Sequence, residues 1–277
     1  MDRICNRWRS DPVIKIYLPY VYKIAEQLEP LSRIQAGTTI ASNLYVFISA
    51  HIIINELLNN SVFASSLRSC RQAGGLLSET INGYIQTLDK DAELQQHDPI
   101  MINQLSSEFK TALLAEISVF PSYFVTQKGA FDTLTLLEWG QLLFPSDLRA
   151  KAPEAEFDIQ QAAKALAFEL STSSGFHAFR ATESVLRRYY THVTGGHPLP
   201  KVRNLGVYIK ALRMAKCGDE VILASLEQLT KLHRNPLIHP EAVLTMDEAI
   251  STLGMARSAV TAMLNVLPSV APTTASP

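Results

Sequence analysis

Apolar residues recur at steps of three and four along nearly every long segment of this 277-residue chain. Positions with that spacing share one face of an α-helix, whereas a half-buried strand alternates apolar and polar residues. No segment keeps such an alternation. The spacing therefore predicts an all-α fold in which any strands are short.

Proline, glycine and polar clusters divide this pattern into segments. In the first half, helices are predicted near residues 19–28, 42–58, 75–88, 99–120 and 134–143. In the second half they are predicted near residues 157–170, 176–193, 205–214, 219–233 and 246–267. The polar run at 171–175 is expected to connect two of them. Gly195, Gly196 and Pro198 form a helix stop, and Thr245 with Glu248 forms a capping box that opens the last helix.

Residues 145–156 carry two prolines, small residues and charges of both signs, which is typical of a linker. On this interpretation residues 1–150 form an N-terminal helical region of unknown role, and residues 157–267 form a separate helical domain. The tail at 268–277 is rich in small residues and uncharged, so we expect it to be disordered.

The charge of the chain restricts its partners. Charged residues make up only 18%, below the roughly 25% usual in globular proteins, which indicates that a second subunit covers part of the helix surface. A net charge of -1 excludes a protein that is basic throughout and coats nucleic acid. Residues 157–267 hold twelve Lys and Arg against nine Asp and Glu, while the remainder holds 13 against 17. A polyanionic partner is therefore expected on the second domain.

Cys5, Cys70 and Cys217 lie far apart without metal-ligand spacing, so we expect neither a disulfide framework nor a bound metal. No phosphate loop or dinucleotide fingerprint is present, so no cofactor is expected. The most apolar stretch, residues 44–58, is shorter than the ~20 residues of a membrane-spanning helix and is interpreted as a core helix. The N-terminus lacks a signal-peptide pattern. These features predict a cytoplasmic protein without a membrane partner.

The hexad Arg234-Asn235-Pro236-Leu237-Ile238-His239 follows an apolar helical stripe. On an unbroken helix the side chains of Arg234 and His239 point about 140° apart. Pro236 lacks a backbone donor and disfavours helical geometry at Asn235, so we expect it to form a tight irregular turn together with Pro240. Such a turn allows a guanidinium and an imidazole to converge as a pair that binds anions.

This hexad resembles the R-x4-6-H ribonuclease motif of the HEPN superfamily, in the Arg-Asn-Pro-x-x-His-Pro-Glu form of uncharacterised bacterial members. The helix at 176–185 and the segment Asn-Leu-Gly-x-Tyr-Ile at 204–209 are similar to the same group. The likeness covers about residues 157–267 and implies a HEPN-like up-and-down helical bundle. The stretch 123–132 is similar to the region upstream of that domain in the same proteins, and no function follows from it.

In HEPN ribonucleases two motifs face one cleft of a dimer, and RNA is cut without a metal when a 2′-hydroxyl attacks its own phosphate. The resemblance implies an RNA substrate, a homodimer formed through the HEPN domain, and products ending in a 2′,3′-cyclic phosphate. His239 would be the general acid or base, Arg234 would hold the phosphate, and Asn235 would bind the phosphate or orient His239. Bacterial members are toxins or antiphage defence effectors, which implies an antitoxin or a defence-complex partner.

Glu183 is the other informative position. Its carboxylate falls at helical spacing on an apolar stripe formed by Phe176, Phe179, Leu186, Tyr190 and Val193. A buried carboxylate needs a partner, and Arg180, Arg187 and Arg234 are the candidates. We expect Glu183 to orient Arg234.

Candidate RNA contacts are Arg180, Arg187, Arg188 and Lys231. The run 187–190 combines two arginines with two tyrosines and suits RNA stacking, but it equally fits an ordinary half-buried helix face. His177 is interpreted as a surface or interface residue.

Two other functions fit the same residues. A catalytically inactive HEPN scaffold would bind a partner protein or RNA and regulate it, since one fold hosts both roles. A module paired with a nucleotidyltransferase would need a second chain. Without the resemblance, Arg234 and His239 are simply a cationic helix end. Two motifs facing one open, positive cleft would favour the enzyme.

Overall fold

The computed structural model describes residues 16–238 and 243–269, except for the side chains of 232–238. This part of the chain is helical, with short 3₁₀ and π-helical turns and two isolated β-bridges but no strand. The all-α prediction is confirmed. The chain divides into two compact units, Met1–Ser122 and Tyr123–Pro277.

The described part of the first unit contains α1 (Leu18–Leu28), α2 (Ile40–Asn55), α3 (Ser69–Gln86) and α4 (His97–Ile117). A 3₁₀ turn follows α1, and a π-helical turn extends α2. Thr39 begins α2, because its Oγ1 accepts a hydrogen bond from the Ser42 N–H. α3 packs against both α2 and α4, and their shared core contains Phe47, Leu77 and Phe109.

α2 and its π-helical turn form one helical segment of 21 residues, Ile40–Asn60. Among the described residues this segment alone is long and apolar enough to cross a membrane, and it exceeds the apolar stretch recognised in the sequence. Such a test is weak, because core helices of soluble proteins also pass it. One face of the segment contributes Phe47 and Ile53 to the core, whereas Tyr45 and Ile52 are exposed.

The described part of the second unit contains α5 (Thr133–Glu138), α6 (Leu148–Lys151), α7 (Glu156–Ala167), α8 (Ser171–Val193), α9 (Leu205–Met214), α10 (Glu220–Ile238) and α11 (Met246–Val266). α8 is central, because α7, α9, α10 and α11 all pack against it. Small buried residues such as Ala162, Ala178 and Ala256 allow these helix axes to approach closely.

Several local predictions are confirmed in this unit. α9 spans the predicted residues, and Asn204 caps it by accepting a hydrogen bond from the Val207 N–H at 3.0 Å. α8 ends before Gly195 and Gly196, whose φ angles of 64° and 86° lie in the left-handed region. The capping box of Thr245 and Glu248 opens α11 with both reciprocal hydrogen bonds formed.

The boundary between the units lies upstream of the predicted linker at 145–156. That stretch instead carries α6 and a 3₁₀ turn, and Leu148, Ala152 and Ala155 are buried in the core of the second unit. Pro153 begins its 3₁₀ turn, a position where the missing N–H costs little. The composition resembled a linker because short helical turns and linkers use the same residues.

Two helix ends also differ from the prediction. The run at 171–175 belongs to α8, because Ser174 is buried and its Oγ donates a 2.9 Å hydrogen bond to the Ala162 carbonyl of α7. α10 continues to Ile238, beyond the predicted end at 233, and includes Pro236. A proline inside a helix removes its own N–H and crowds the carbonyl four residues earlier, which bends some helices and ends others. Packing of α10 against α8, α9 and α11 favours continuation of this helix.

Candidate functional site

The first five residues of the hexad, 234–238, form the C-terminal end of α10. Arg234 and Asn235 belong to this helix, but their side chains and all of His239 lie outside the described parts of the structure. The predicted convergence of Arg234 and His239 therefore stays a prediction. The expected departure of Asn235 from helical geometry is wrong, because the backbone remains helical through Ile238. The rest of the expected turn, at His239 and Pro240, lies outside the described residues.

Tyr189 of α8 fixes the start of the helix that carries the hexad. Its hydroxyl oxygen accepts a 2.7 Å hydrogen bond from the Asp219 N–H. Asp219 Oδ1 in turn accepts hydrogen bonds from the N–H groups of Val221 and Ile222 at 2.7 and 3.3 Å. Burial raises the pKa of Tyr189, which keeps this hydroxyl protonated. α10 thus begins at a defined point on α8.

The chain downstream of the hexad is also held by α8. The N–H of Leu244 donates a 3.1 Å hydrogen bond to Oγ1 of Thr172, in the first turn of α8. The Leu244 side chain is buried, and Thr245 immediately begins α11. Both flanks of the hexad therefore have fixed places in the second unit, one at the end of α10 and one beside the first turn of α8.

Glu183 is half-buried on α8 rather than fully enclosed. The buried face of this helix is formed by Ser174, Ala178, Ala181, Thr182, Val185, Leu186, Tyr189 and Tyr190. The predicted stripe was therefore partly wrong: Leu186 and Tyr190 are buried, but Phe176 is exposed. The buried face of α8 differs from the predicted stripe because alanine and threonine face the core. These small residues are only weakly apolar, so a sequence pattern based on large apolar residues does not reveal them. The predicted pairing of Glu183 with Arg234 lies outside the described side chains.

The four candidate RNA cations differ in their surroundings. Arg187 lies 4.0 Å from Glu183, and Arg180 contacts Asp158 at 3.2 Å. Arg188 forms an ion pair with Glu154, preceding α7. Lys231 is exposed on α10. Three of these side chains thus have carboxylate partners within the unit, which reduces the positive charge that they offer to RNA.

Asp158 joins two side chains that the sequence did not connect. This carboxylate is only 7% exposed, and its Oδ1 lies 2.8 Å from Nδ1 of His177. The Arg180 Nε donates to Oδ2 at 3.3 Å, so one buried acid of α7 holds an imidazole and a guanidinium of α8. The signal in the sequence was the spacing of His177 and Arg180, which are three residues apart and share a helix face.

A groove of about 500 Å³ runs along α11 and is lined by Phe131, Leu143, Leu253, Arg257 and other residues. Among the described residues, no group of three or more His, Cys, Asp or Glu side chains is arranged to hold a metal ion.

No protein-family model, curated protein or solved structure matches this chain.

Proposed function

We propose that this protein is a metal-independent endoribonuclease of the HEPN type. The observation that carries the proposal is the hexad Arg234–His239, whose first five residues end α10, in a helical unit where α8 packs against α7, α9, α10 and α11. The resemblance in sequence covers the same helices. Fixed flanks on both sides of the hexad support the proposal, because acid–base catalysis needs positioned side chains.

The proposed reaction uses one guanidinium and one imidazole. His239 removes the proton from a ribose 2′-hydroxyl or gives one to the departing 5′-oxygen, work suited to a group with a usual pKa of about 6.5. Arg234 binds the phosphate and the charge that develops on it, for which its planar set of donors is better suited than lysine. Asn235 binds the phosphate or orients His239, and Glu183 orients Arg234. The products are a 2′,3′-cyclic phosphate and a 5′-hydroxyl.

The biological role that fits this chemistry is that of a cytoplasmic toxin or antiphage defence effector. In such a role the protein acts as a homodimer that brings two hexads to one RNA cleft. An antitoxin or a defence-complex partner restrains or triggers the activity. The low share of charged residues, 18%, supports a covered surface of the kind that a dimer needs.

A second candidate function is a catalytically inactive HEPN scaffold that binds a partner protein or RNA. The observation that favours it is the pairing of Arg180, Arg187 and Arg188 with carboxylates of the same unit. A surface whose cations are already neutralised attracts a polyanion less strongly.

The test is cleavage of a mixed RNA pool in EDTA, with chemical analysis of the product ends. Wild type is expected to give cyclic phosphate ends, and Arg234→Ala and His239→Ala are each expected to lower the rate about 100-fold or more. The matched controls are Arg213→Ala and His192→Ala, exposed residues elsewhere in the same unit, which should cleave like wild type. A deoxyribose pool should resist cleavage, because it has no 2′-hydroxyl.

Two results separate the candidates. Cyclic phosphate ends that vanish in both hexad variants support the enzyme. If wild type and all variants are folded dimers and equally inert, the ribonuclease proposal is rejected and the scaffold is favoured.

A further inference from the structure

The side chains around Asp158 form a cluster on the surface of the α7–α8 hairpin. The acid is buried, His177 is about one-fifth exposed, and the Arg180 side chain is 56% exposed. Because His177 Nδ1 and Arg180 Nε share the same oxygen, at 2.8 and 3.2 Å, these nitrogens are at most about 6 Å apart. One carboxylate therefore sets the relative positions of two different nitrogen donors.

Arg180 and His177 each have a further ring or guanidinium nitrogen that does not contact Asp158 and could bind a ligand. Arg180 donates to the acid through Nε, and its terminal nitrogens make no hydrogen bond to the described residues. His177 uses Nδ1, and its Nε2, which is a donor in the imidazolium form, likewise has no hydrogen-bond partner in the described parts of the chain. A phosphate with several acceptor oxygens suits such a pair, because arginine binds phosphate through two parallel N–H groups.

An exposed aromatic ring completes the cluster. Phe176 is 47% exposed, although it lies on the helix that forms the centre of its unit. The Arg180 guanidinium lies over this ring at 5.7 Å, and the His177 ring meets it edge-on with 5.7 Å between centroids. These contacts hold the ring in place and leave much of its surface free for stacking.

The cluster lies close to the downstream flank of the hexad. Thr172, whose Oγ1 accepts the bond from the Leu244 N–H, precedes Phe176 by four residues on α8, so their side chains share one face of the helix. At the helical rise per residue, this spacing is about 6 Å along the axis. An RNA strand that passes the first turn of α8 on this face therefore runs beside the Phe176 ring.

We propose that Asp158, His177, Arg180 and Phe176 form a nucleotide subsite for single-stranded RNA, with a phosphate on His177 and Arg180 and a base on Phe176. Asp158 is a positioning residue that fixes both donors. The subsite extends the proposed ribonuclease function, on which its substrate class rests. Stacking on an aromatic ring accepts every base, so the subsite provides affinity rather than sequence preference.

A simpler role would be an ion pair that joins α7 to α8. The hairpin already has an apolar core that includes Ala163, Leu166 and Val185, so its packing does not depend on this cluster. A purely structural role predicts loss of stability without loss of RNA binding. Melting temperature and RNA affinity are therefore measured on the same variants.

The experiment measures binding of a fluorescent single-stranded RNA of about 12 nucleotides by anisotropy, in EDTA, with the full chain carrying His239→Ala to prevent cutting. Phe176→Ala and Arg180→Ala are each expected to weaken the Kd about fivefold or more. Phe168→Ala is the matched control for the ring, because Phe168 is 46% exposed at the end of α7. Arg213→Ala is the matched control for Arg180→Ala, because the Arg213 guanidinium is also paired with carboxylates, those of Glu220 and Glu227. Arg180→Lys should retain part of the affinity.

Selective loss in the Phe176 and Arg180 variants, with melting temperatures like that of the parent, supports the subsite. Four results would overturn the subsite. They are equal RNA affinity in all variants, an equal loss of affinity in the control variants, tighter binding of free AMP than of RNA, and no RNA binding by the parent protein. The same variants, made with His239 intact, are assayed for cleavage. If the wild type cleaves RNA and the Phe176 and Arg180 variants bind RNA as tightly as the parent, the subsite proposal is rejected and the ribonuclease proposal stands. If the Phe176 and Arg180 variants selectively lose RNA binding but the wild type does not cleave RNA, the subsite proposal stands and the ribonuclease proposal is rejected.

Discussion

Leu244 and Thr172 are joined by a hydrogen bond that spans 72 residues of sequence. The backbone N–H of Leu244 donates to Thr172 Oγ1 at 3.1 Å, which holds the chain just after the hexad against the first turn of α8. A bond of this kind contributes about 1 kcal/mol. The bond thus connects the proposed catalytic segment to the central helix of the unit.

Thr172→Val should loosen this segment without unfolding the unit, because valine keeps the shape of threonine but cannot accept the bond. We expect amide hydrogen exchange at Leu244 to become about fivefold faster, and RNA cleavage to slow by a similar factor. Thr261→Val is the control, since its hydroxyl bonds only to Arg257 within α11. Unchanged exchange at Leu244 would show that the bond does not hold the segment.

Glu116 of α4 caps the start of α3 from outside that helix. Its carboxylate accepts backbone hydrogen bonds from Arg68, Ser69 and Cys70 at 2.6, 2.8 and 3.0 Å. We expect Glu116→Gln to lower the free energy of unfolding at pH 7 by about 1–2 kcal/mol, the usual effect of losing a helix cap. Urea denaturation measures this change. Glu108→Gln on the same helix is the control and should be nearly neutral, because the Glu108 side chain bonds only to Gln104.

The effect of Glu116 should depend on pH. Desolvation opposes ionisation, but the backbone hydrogen bonds from Cys70, Ser69 and Arg68 prevail and lower the pKa of this carboxyl from 4.5 to about 2. Stability gained from a depressed pKa is present above the unfolded-state value and is lost as the pH falls through the folded-state value. The stability difference between wild type and Glu116→Gln should therefore shrink between pH ~4.5 and pH ~2. A difference that stays constant over this range contradicts the assignment.

Gly74 and Gly75 are neighbours on α3 with opposite surroundings. A Cβ at Gly74 would meet Phe109 at 2.7 Å and Leu58 at 2.9 Å, whereas nothing lies within 4 Å of a Cβ at Gly75. We expect Gly74→Ala to destabilise the protein by about 1–3 kcal/mol through overpacking. Gly75→Ala should stabilise it by about 0.5–1 kcal/mol, because alanine favours the helix. Thermal and urea unfolding test the pair, and equal effects at both positions would contradict the packing of α3 against α4.

Glu169 has a left-handed backbone, with φ of 61°, in the turn between α7 and α8. Its carboxylate contacts the buried Lys128 ammonium at 2.5 Å. Glycine would relieve the backbone strain by about 0.5–1 kcal/mol, but it would leave this ammonium without its carboxylate at a cost of about 1–2 kcal/mol, since solvent screens the exposed acid. We expect Glu169→Gly to be destabilising by up to about 1.5 kcal/mol.

Lys216 provides the control for Glu169. It has a similar φ of 52°, but it is exposed after α9 and forms no ion pair with a described residue. Lys216→Gly should therefore stabilise the protein by about 0.5–1 kcal/mol. If urea denaturation shows that both glycine variants are stabilising, the ion pair of Lys128 contributes less than the backbone strain.

Local sequence signals predicted those features that depend on a few neighbouring residues. The pair Thr245 and Glu248 identified the start of α11 because a capping side chain bonds to a backbone only three residues away. Gly195 marked the end of α8 for the same reason, since a left-handed residue terminates a helix locally. Such signals do not require knowledge of what the helix packs against.

Long-range contacts decided the features that were wrong or missed. The predicted linker is part of a core because residues such as Ala155 meet other helices of the unit. The beginning of α8 is helical because Ser174 finds an acceptor on α7. The Asp158 cluster joins residues 19 and 22 positions apart, a separation at which sequence spacing carries no information.

The sequence by itself determined the all-α fold, most helix positions and the presence of the hexad, because periodicity and capping are properties of local chain geometry. Only the tertiary structure decided where the two units divide, which face of α8 is buried and which acid holds His177 and Arg180. The physical reason is that burial and ion pairing depend on distance in space. Two helices that pack together can place distant residues within a few ångströms of each other.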